Sequence, residues 1–170
     1  MKVTLIAPTP PDVAAFGVRA LSAYLKRHNK DVRLIFLPGG VEKFKHRTDY
    51  IYQYEDTILK QILELCSGSD LIGLSFMSNY LDRAVQLSKA IKDAFGGVPL
   101  ILGGIHPSVM PEECLKFSDI VCIGEGEEAL LELIDRLEQW KDYSDIKNLW
   151  LKKGNLVIKN PLRPLIYDLD

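Results

Sequence analysis

The sequence predicts an α/β domain, doubly wound around a five-stranded parallel sheet, with a β-hairpin near its C-terminal end. Three observations lead there. Short apolar runs of strand length recur five times along the 170 residues. Amphipathic stretches with helical periodicity separate them. Each apolar run stops at Pro, Gly or small polar residues. Unbroken apolar strands alternating with helices imply a parallel sheet covered on both faces.

The elements follow in order. Val3 to Ala7 is a β-prone run broken by Pro8, Pro10 and Pro11. Val18 to Arg27 places Leu21, Tyr24 and Leu25 on one helical face, with charges opposite. Val32 to Leu37 is a second strand, ended by Pro38-Gly-Gly, Leu71 to Ser75 a third, Pro99 to Gly104 a fourth and Asp119 to Gly124 a fifth. Helical periodicity returns at Leu81–Phe95, weakly at Glu112–Phe117, and at Glu127–Trp140. The right-handed crossover rule makes this a Rossmann- or flavodoxin-like arrangement. An insert, 41–66, carries Phe44, Tyr50, Tyr52 and Tyr54 ahead of a helical run, Thr57–Leu65. Asn148–Leu151 and Leu156–Lys159 flank a turn at Gly154 and read as a hairpin. The organisation expected is an α/β domain over 1–142, a hairpin appendage over 143–160, and the start of a linker over 161–170.

Composition excludes several classes. With 47% apolar residues the chain is no disordered tract, and 21 basic against 23 acidic residues leave a charge of −2. Nucleic acid, which normally needs a basic face, is not an expected partner. Cys66, Cys114 and Cys122 form no C-x-x-C pair and read as small buried hydrophobes. No signal peptide and no run of 18 apolar residues is present, so the expectation is a cytoplasmic protein without a membrane span.

In an open doubly wound sheet, ligands bind outside the carboxyl ends of the strands. The first such loop reads A-P-T-P-P-D, where a dinucleotide site needs G-x-G-x-x-G with free backbone amides. No P-loop is present, the third strand ends in Ser75 where a receiver-type phosphoacceptor site needs Asp, and no flavodoxin-type phosphate loop rich in Ser, Thr and Gly occurs.

What the loops do carry is Asp12-Val-Ala-Ala-Phe-Gly17 after the first strand, Ser75-Phe-Met77 after the third and Gly103-Gly104 after the fourth. This order resembles the cobalamin-binding domain of methionine synthase, corrinoid methyltransferases and cobalamin-dependent radical SAM enzymes. That family's pattern is D-x-H-x-x-G, then S-x-L, then G-G. Two positions depart. Ala14 stands where the cobalt-ligating His would be, and Met77 replaces the Leu. A methyl side chain cannot donate to a metal, so the resemblance implies base-off cobalamin held without the usual His. The strings G-G-I-H-P-S (103–108), Pro111-Glu-Glu and I-G-E-G-E (123–127) are similar to the radical SAM branch. Such an enzyme needs C-x-x-x-C-x-x-C for a [4Fe–4S] cluster that binds S-adenosylmethionine, and the three cysteines here lack that spacing. The resemblance therefore implies a C-terminal radical SAM domain of the same polypeptide beyond Asp170, with methyltransferase or cyclase chemistry for the whole and no catalytic residue in this part.

The residues implied to line the cofactor are Pro10, Asp12, Gly17, Ser75, Met77, Ser78, Asn79, Gly103, Gly104, His106, Pro107, Gly124, Glu125 and Gly126. None is expected to ligate a metal. His106 reads as pocket lining or as a locally bonded turn residue. Ser78 and Asn79 also suit an N-cap before Leu81, and Asp12 a cap of the first helix. Glu127 suits the dipole at a helix start. His28 and His46 are expected in solvent. Two rival readings stay open: a domain of this fold without cofactor, used for recognition, and half of a nucleotide-sugar transferase.

Overall fold

The computed structural model describes residues 1–11, 15–38, 41–46 and 49–165, with backbone only over 41–46 and 49–52. Its elements run β1 (Lys2–Ala7), α1 (Phe16–Arg27), β2 (Asp31–Phe36), β3 (Val41–His46), β4 (Asp49–Gln53), α2 (Asp56–Cys66), β5 (Leu71–Ser75), α3 (Leu81–Ala94), β6 (Leu100–Gly103), α4 (Ile105–Val109), α5 (Pro111–Cys114), β7 (Ile120–Cys122), α6 (Glu127–Glu138), β8 (Leu149–Lys153) and β9 (Leu156–Lys159).

The main sheet has the order β2-β1-β5-β6-β7-β8-β9. Pairing is parallel from β2 to β7 and antiparallel beyond it. The sheet thus has seven strands where five were expected, because the hairpin β8–β9 pairs onto β7 and prolongs the sheet. Burial explains why it does not hang free. Leu149 and Leu151 are 0% and 4% exposed, and they enter the core beside Ile120 and Ile146. The strand order reverses between β1 and β5, the switch point at which open α/β sheets bind ligands.

Strand periodicity sorts the core into two layers. Leu5 and Ala7, Leu71, Ile101, Ile120 and Cys122 face α1 and α6. The alternate residues Ile6, Ile72, Leu74, Leu100, Leu102 and Val121 face the side that holds α2, α3 and α5. Asp119 fixes the start of β6 by accepting from Leu100 N at 2.9 Å, and it pairs with Lys92 of α3 at 2.6 Å.

The expected elements are present with shifted ends. The insert holds an antiparallel hairpin, β3–β4, that stands as its own two-stranded sheet, followed by α2. Of its four aromatics, Tyr54 is core at 1% exposure, and Gln86 of α3 clamps its backbone N and O at 2.8 and 2.9 Å. The side chains of Phe44, Tyr50 and Tyr52 lie outside the described residues, as does that of His46. The weak helix expected over 112–117 is the short α5, and α4 before it was not expected. Ser78 and Asn79 do not cap α3: with Tyr80 they form a 3-10 turn, and Tyr80 takes the cap position without a side-chain bond. Ala15 and Gly126 hold the N-cap positions of α1 and α6, neither with a side-chain bond. The cap role considered for Asp12 lies outside the described residues. His28 is exposed, with Nδ1 2.9 Å from Tyr24 O. All three cysteines are buried and unpaired.

Candidate cofactor cleft

The chemistry-bearing end of the sheet is shaped by what its strands omit. On the face toward α1 and α6, the residues near the carboxyl ends of the central strands are Gly73 and Ser75 of β5, Gly103 of β6 and Cys122 of β7. The helices that pack there start near Gly17 and at Gly126. Small residues on facing elements leave the layers unfilled at this end. The result is a cleft of about 310 Å³ between the sheet and the two helices. Leu5, Val18, Leu21, Ile101 and Leu130 give it apolar walls, and Ser75, Glu125 and Glu127 supply side-chain polarity. A second cleft of about 190 Å³ adjoins it, shares Gly17, Val18, Ser75 and Gly104, and extends over Thr9, Met77, Tyr80 and Ile105. The pair reaches the size range of small-ligand and cofactor sites.

Gly104 makes the junction between the post-β5 and post-β6 loops possible. Its φ of 98° lies in the region only glycine enters freely. A Cβ there would stand 2.7 Å from Phe76 O and 2.8 Å from Phe76 N. Those atoms already join the loops: Phe76 N donates to Gly103 O at 3.1 Å, and His106 N donates to Phe76 O at 3.3 Å. Ser108 ties in the third loop, its hydroxyl donating to Gly104 O at 2.8 Å and accepting from Gly124 N at 3.0 Å.

The structure brings Gly17, Ser75, Met77, Gly103, Gly104, Gly124, Glu125 and Gly126 to the two clefts. Pro10 is exposed on the loop after β1, and Asp12 and Ala14 lie outside the described residues. Ser78 and Asn79 are exposed on the 3-10 turn and line neither cleft. His106 and Pro107 are buried in α4, also away from the walls. The His106 ring stacks on Phe76 with centroids 5.6 Å apart, Nδ1 lies 3.0 Å from Ser78 Oγ, and Nε2 lies 3.4 Å from Glu113 Oε2. It links the 3-10 turn to α4 and α5. Among the described residues no group of three or more His, Cys, Asp or Glu side chains could hold a metal ion.

Sequence reasoning missed Gly73, Cys122, Glu127 as a cleft residue, and Leu165. Gly73 was detectable: two residues before Ser75, it points to the same sheet face, so the pair marks one emptied stripe. Burial pushes the Cys122 thiol up to about 12, so this part of the wall is neutral and unreactive.

Residues 2–134 match the family model described as the B12 binding domain. The chain belongs to that family. Among relatives of this B12 binding domain, an uncharacterized methyltransferase, PH0819, from Pyrococcus horikoshii is 30% identical over 104 residues, which is 59% of this chain and 23% of that protein. The anaerobic magnesium-protoporphyrin IX monomethyl ester cyclase of Rubrivivax gelatinosus is 26% identical over 123 residues, 68% of this chain and 22% of that protein. The solved structure of the radical S-adenosylmethionine methyltransferase TsrM from Kitasatospora setae, with cobalamin and a [4Fe–4S] cluster bound, superimposes with a TM-score of 0.74 at 19% identity. That superposition covers 99% of this chain and 30% of TsrM. The chain spans less than a quarter of the length of the two curated relatives. No helix among the described residues is long and apolar enough to cross a membrane.

Proposed function

We propose that this B12 binding domain holds cobalamin base-off, with the nucleotide tail in the cleft between the sheet and α1/α6. It serves as the corrinoid-carrying part of a radical SAM enzyme, a methyltransferase or a cyclase. The observation that carries the reading is the apolar cleft emptied by Gly73, Gly103 and Gly126 at the switch-point end of the sheet. A detached heteroaromatic base needs an apolar slot that opens at the ligand edge, and the walls of Leu5, Val18, Leu21, Ile101 and Leu130 fit one. Ser75 can bond a ribose or phosphate oxygen, while Glu127 offers an acceptor to amide N–H groups at the corrin rim.

When bound, the corrinoid supplies cobalt-carried alkyl transfer or redox chemistry. Ala14 offers the cobalt no donor from the first loop. His106 supports no substitution for that ligand, since the residue is 5% exposed, lines neither cleft, stacks on Phe76 and holds Nδ1 3.0 Å from Ser78 Oγ. The exposed apolar side chains Phe16, Ile105 and Val109 suit cover by the corrin or by a radical SAM domain that brings the [4Fe–4S] cluster and S-adenosylmethionine.

Titration of hydroxocobalamin into the full-length protein tests the proposal. A base-off absorption spectrum that survives desalting is the expected result. Recovery of the free-cofactor spectrum, with nothing retained on the protein, refutes it.

A further inference from the structure

The chain beyond the hairpin reads in sequence as the start of a linker, yet it does not leave the domain directly. Asn148 turns it back. This residue is 4% exposed with φ of 69°, a left-handed conformation that Asn tolerates better than most. Each of its four polar groups is used. Asn148 N donates to Pro161 O at 2.9 Å, and Asn148 Oδ1 accepts from Arg163 N at 2.6 Å. Toward the loop after β7, Asn148 O accepts from Ile123 N at 2.8 Å, and Nδ2 donates to Glu125 O at 2.8 Å. One side chain therefore joins the cleft loop to the segment that follows the hairpin.

Arg163 completes the tether from the other side. Its guanidinium pairs with Glu132 of α6 and lies 3.4 Å from Glu128, with only 20% of the side chain exposed. The outcome appears two residues on. Leu165 lines the larger cleft opposite Leu5 and Leu130, but not the adjoining one, and it is 68% exposed.

We infer that Leu165 is a wall of the cofactor cleft, that Asn148 and Arg163 position the segment that carries it, and that this wall grips the nucleotide end of the corrinoid. The inference rests on the cobalamin reading above. Physically, contacts within the protein tether the segment that carries the wall, which lowers the cost of fixing it on binding. An exposed leucine at the mouth of an apolar slot then gains contact only when the slot is filled.

The test compares two probes on the full-length protein: hydroxocobalamin, and cobinamide, which has the corrin ring without the nucleotide. Leu165→Ala is the decisive variant because the side chain is exposed and its truncation leaves the core intact. Leu165→Ala weakens hydroxocobalamin about fivefold, and Arg163→Ala, which frees the segment, about tenfold. Cobinamide affinity stays unchanged in both, and Leu165→Met restores hydroxocobalamin binding. Unaltered hydroxocobalamin affinity in Leu165→Ala, or an equal loss for both probes, overturns the wall while leaving the cobalamin reading intact. A wild-type protein that binds neither probe overturns that reading and the wall with it.

Discussion

Replacing Gly104 with Ala puts a methyl group into the junction that joins two cleft loops. The new Cβ would meet Phe76 O at 2.7 Å, Phe76 N at 2.8 Å and Ser75 Oγ at 3.1 Å. Two of these are backbone atoms already bonded to Gly103 and His106, so neither can yield without breaking a loop contact. The glycine's φ of 98° and ψ of −166° also lie where an L-residue is strained, which costs roughly 1–3 kcal/mol. Overpacking against fixed neighbours costs about another 1–3 kcal/mol. A total near 4 kcal/mol lowers the melting temperature of a domain of this size by about 8–16 °C. Gly17→Ala is the matched control, since its Cβ meets nothing within 4 Å and α1 favours Ala over Gly. Thermal unfolding followed by circular dichroism on both variants checks the argument. A Gly104→Ala protein melting within about 2 °C of wild type refutes the strain-and-clash reasoning.

Gly73→Ala separates stability from binding. Its Cβ would press on Leu5 Cδ2 at 2.9 Å, the end of a side chain that can turn aside, and on the stiffer Ile101 Cγ2 at 3.3 Å, so stability falls by about 1–3 kcal/mol while cobalamin binding weakens at least tenfold; equal affinity in wild type and variant refutes it. A second expectation concerns pH. Burial raises Cys66 to about 11, and Cys114, Cys122 and Tyr54 to about 12, so the folded protein holds these protons more tightly than the unfolded chain. The stability they contribute is complete below the thiols' ordinary value of 9.0 and declines as pH climbs toward 12. Urea midpoints should fall steadily across that window, and a flat profile counts against buried neutral groups.

Much of the fold was legible because it is written in local patterns. Val3–Ala7, Leu71–Ser75 and Pro99–Gly104 are unbroken apolar runs, and such runs signal strands covered on both faces whatever surrounds them. That Ser75, Gly103 and Gly104 stand at strand ends, where open α/β sheets bind ligands, followed from the run boundaries and needed no tertiary information. The β3–β4 hairpin was not legible, since half of Val41–His46 is charged and no Gly, Pro, Asn or Asp cluster marks a turn after it. The contact between α4 and its surroundings was missed for another reason: His106 and Ser108 are bonded to residues from different loops.

By itself, the sequence determined the alternation of strands and helices, the small residues at the strand ends, and the absence of a donor at Ala14. These are properties of composition and of spacing along one segment. Only the tertiary structure decided that the hairpin completes the sheet, that His106 braces loops away from the cleft walls, and that Leu165 stands at the cleft mouth. Each depends on partners tens of residues apart, such as Ile120 with Leu151, Ser78 with His106, and Asn148 with Glu125. Periodicity reports which face a residue occupies, but the neighbour across that face is chosen by packing and hydrogen bonding in three dimensions.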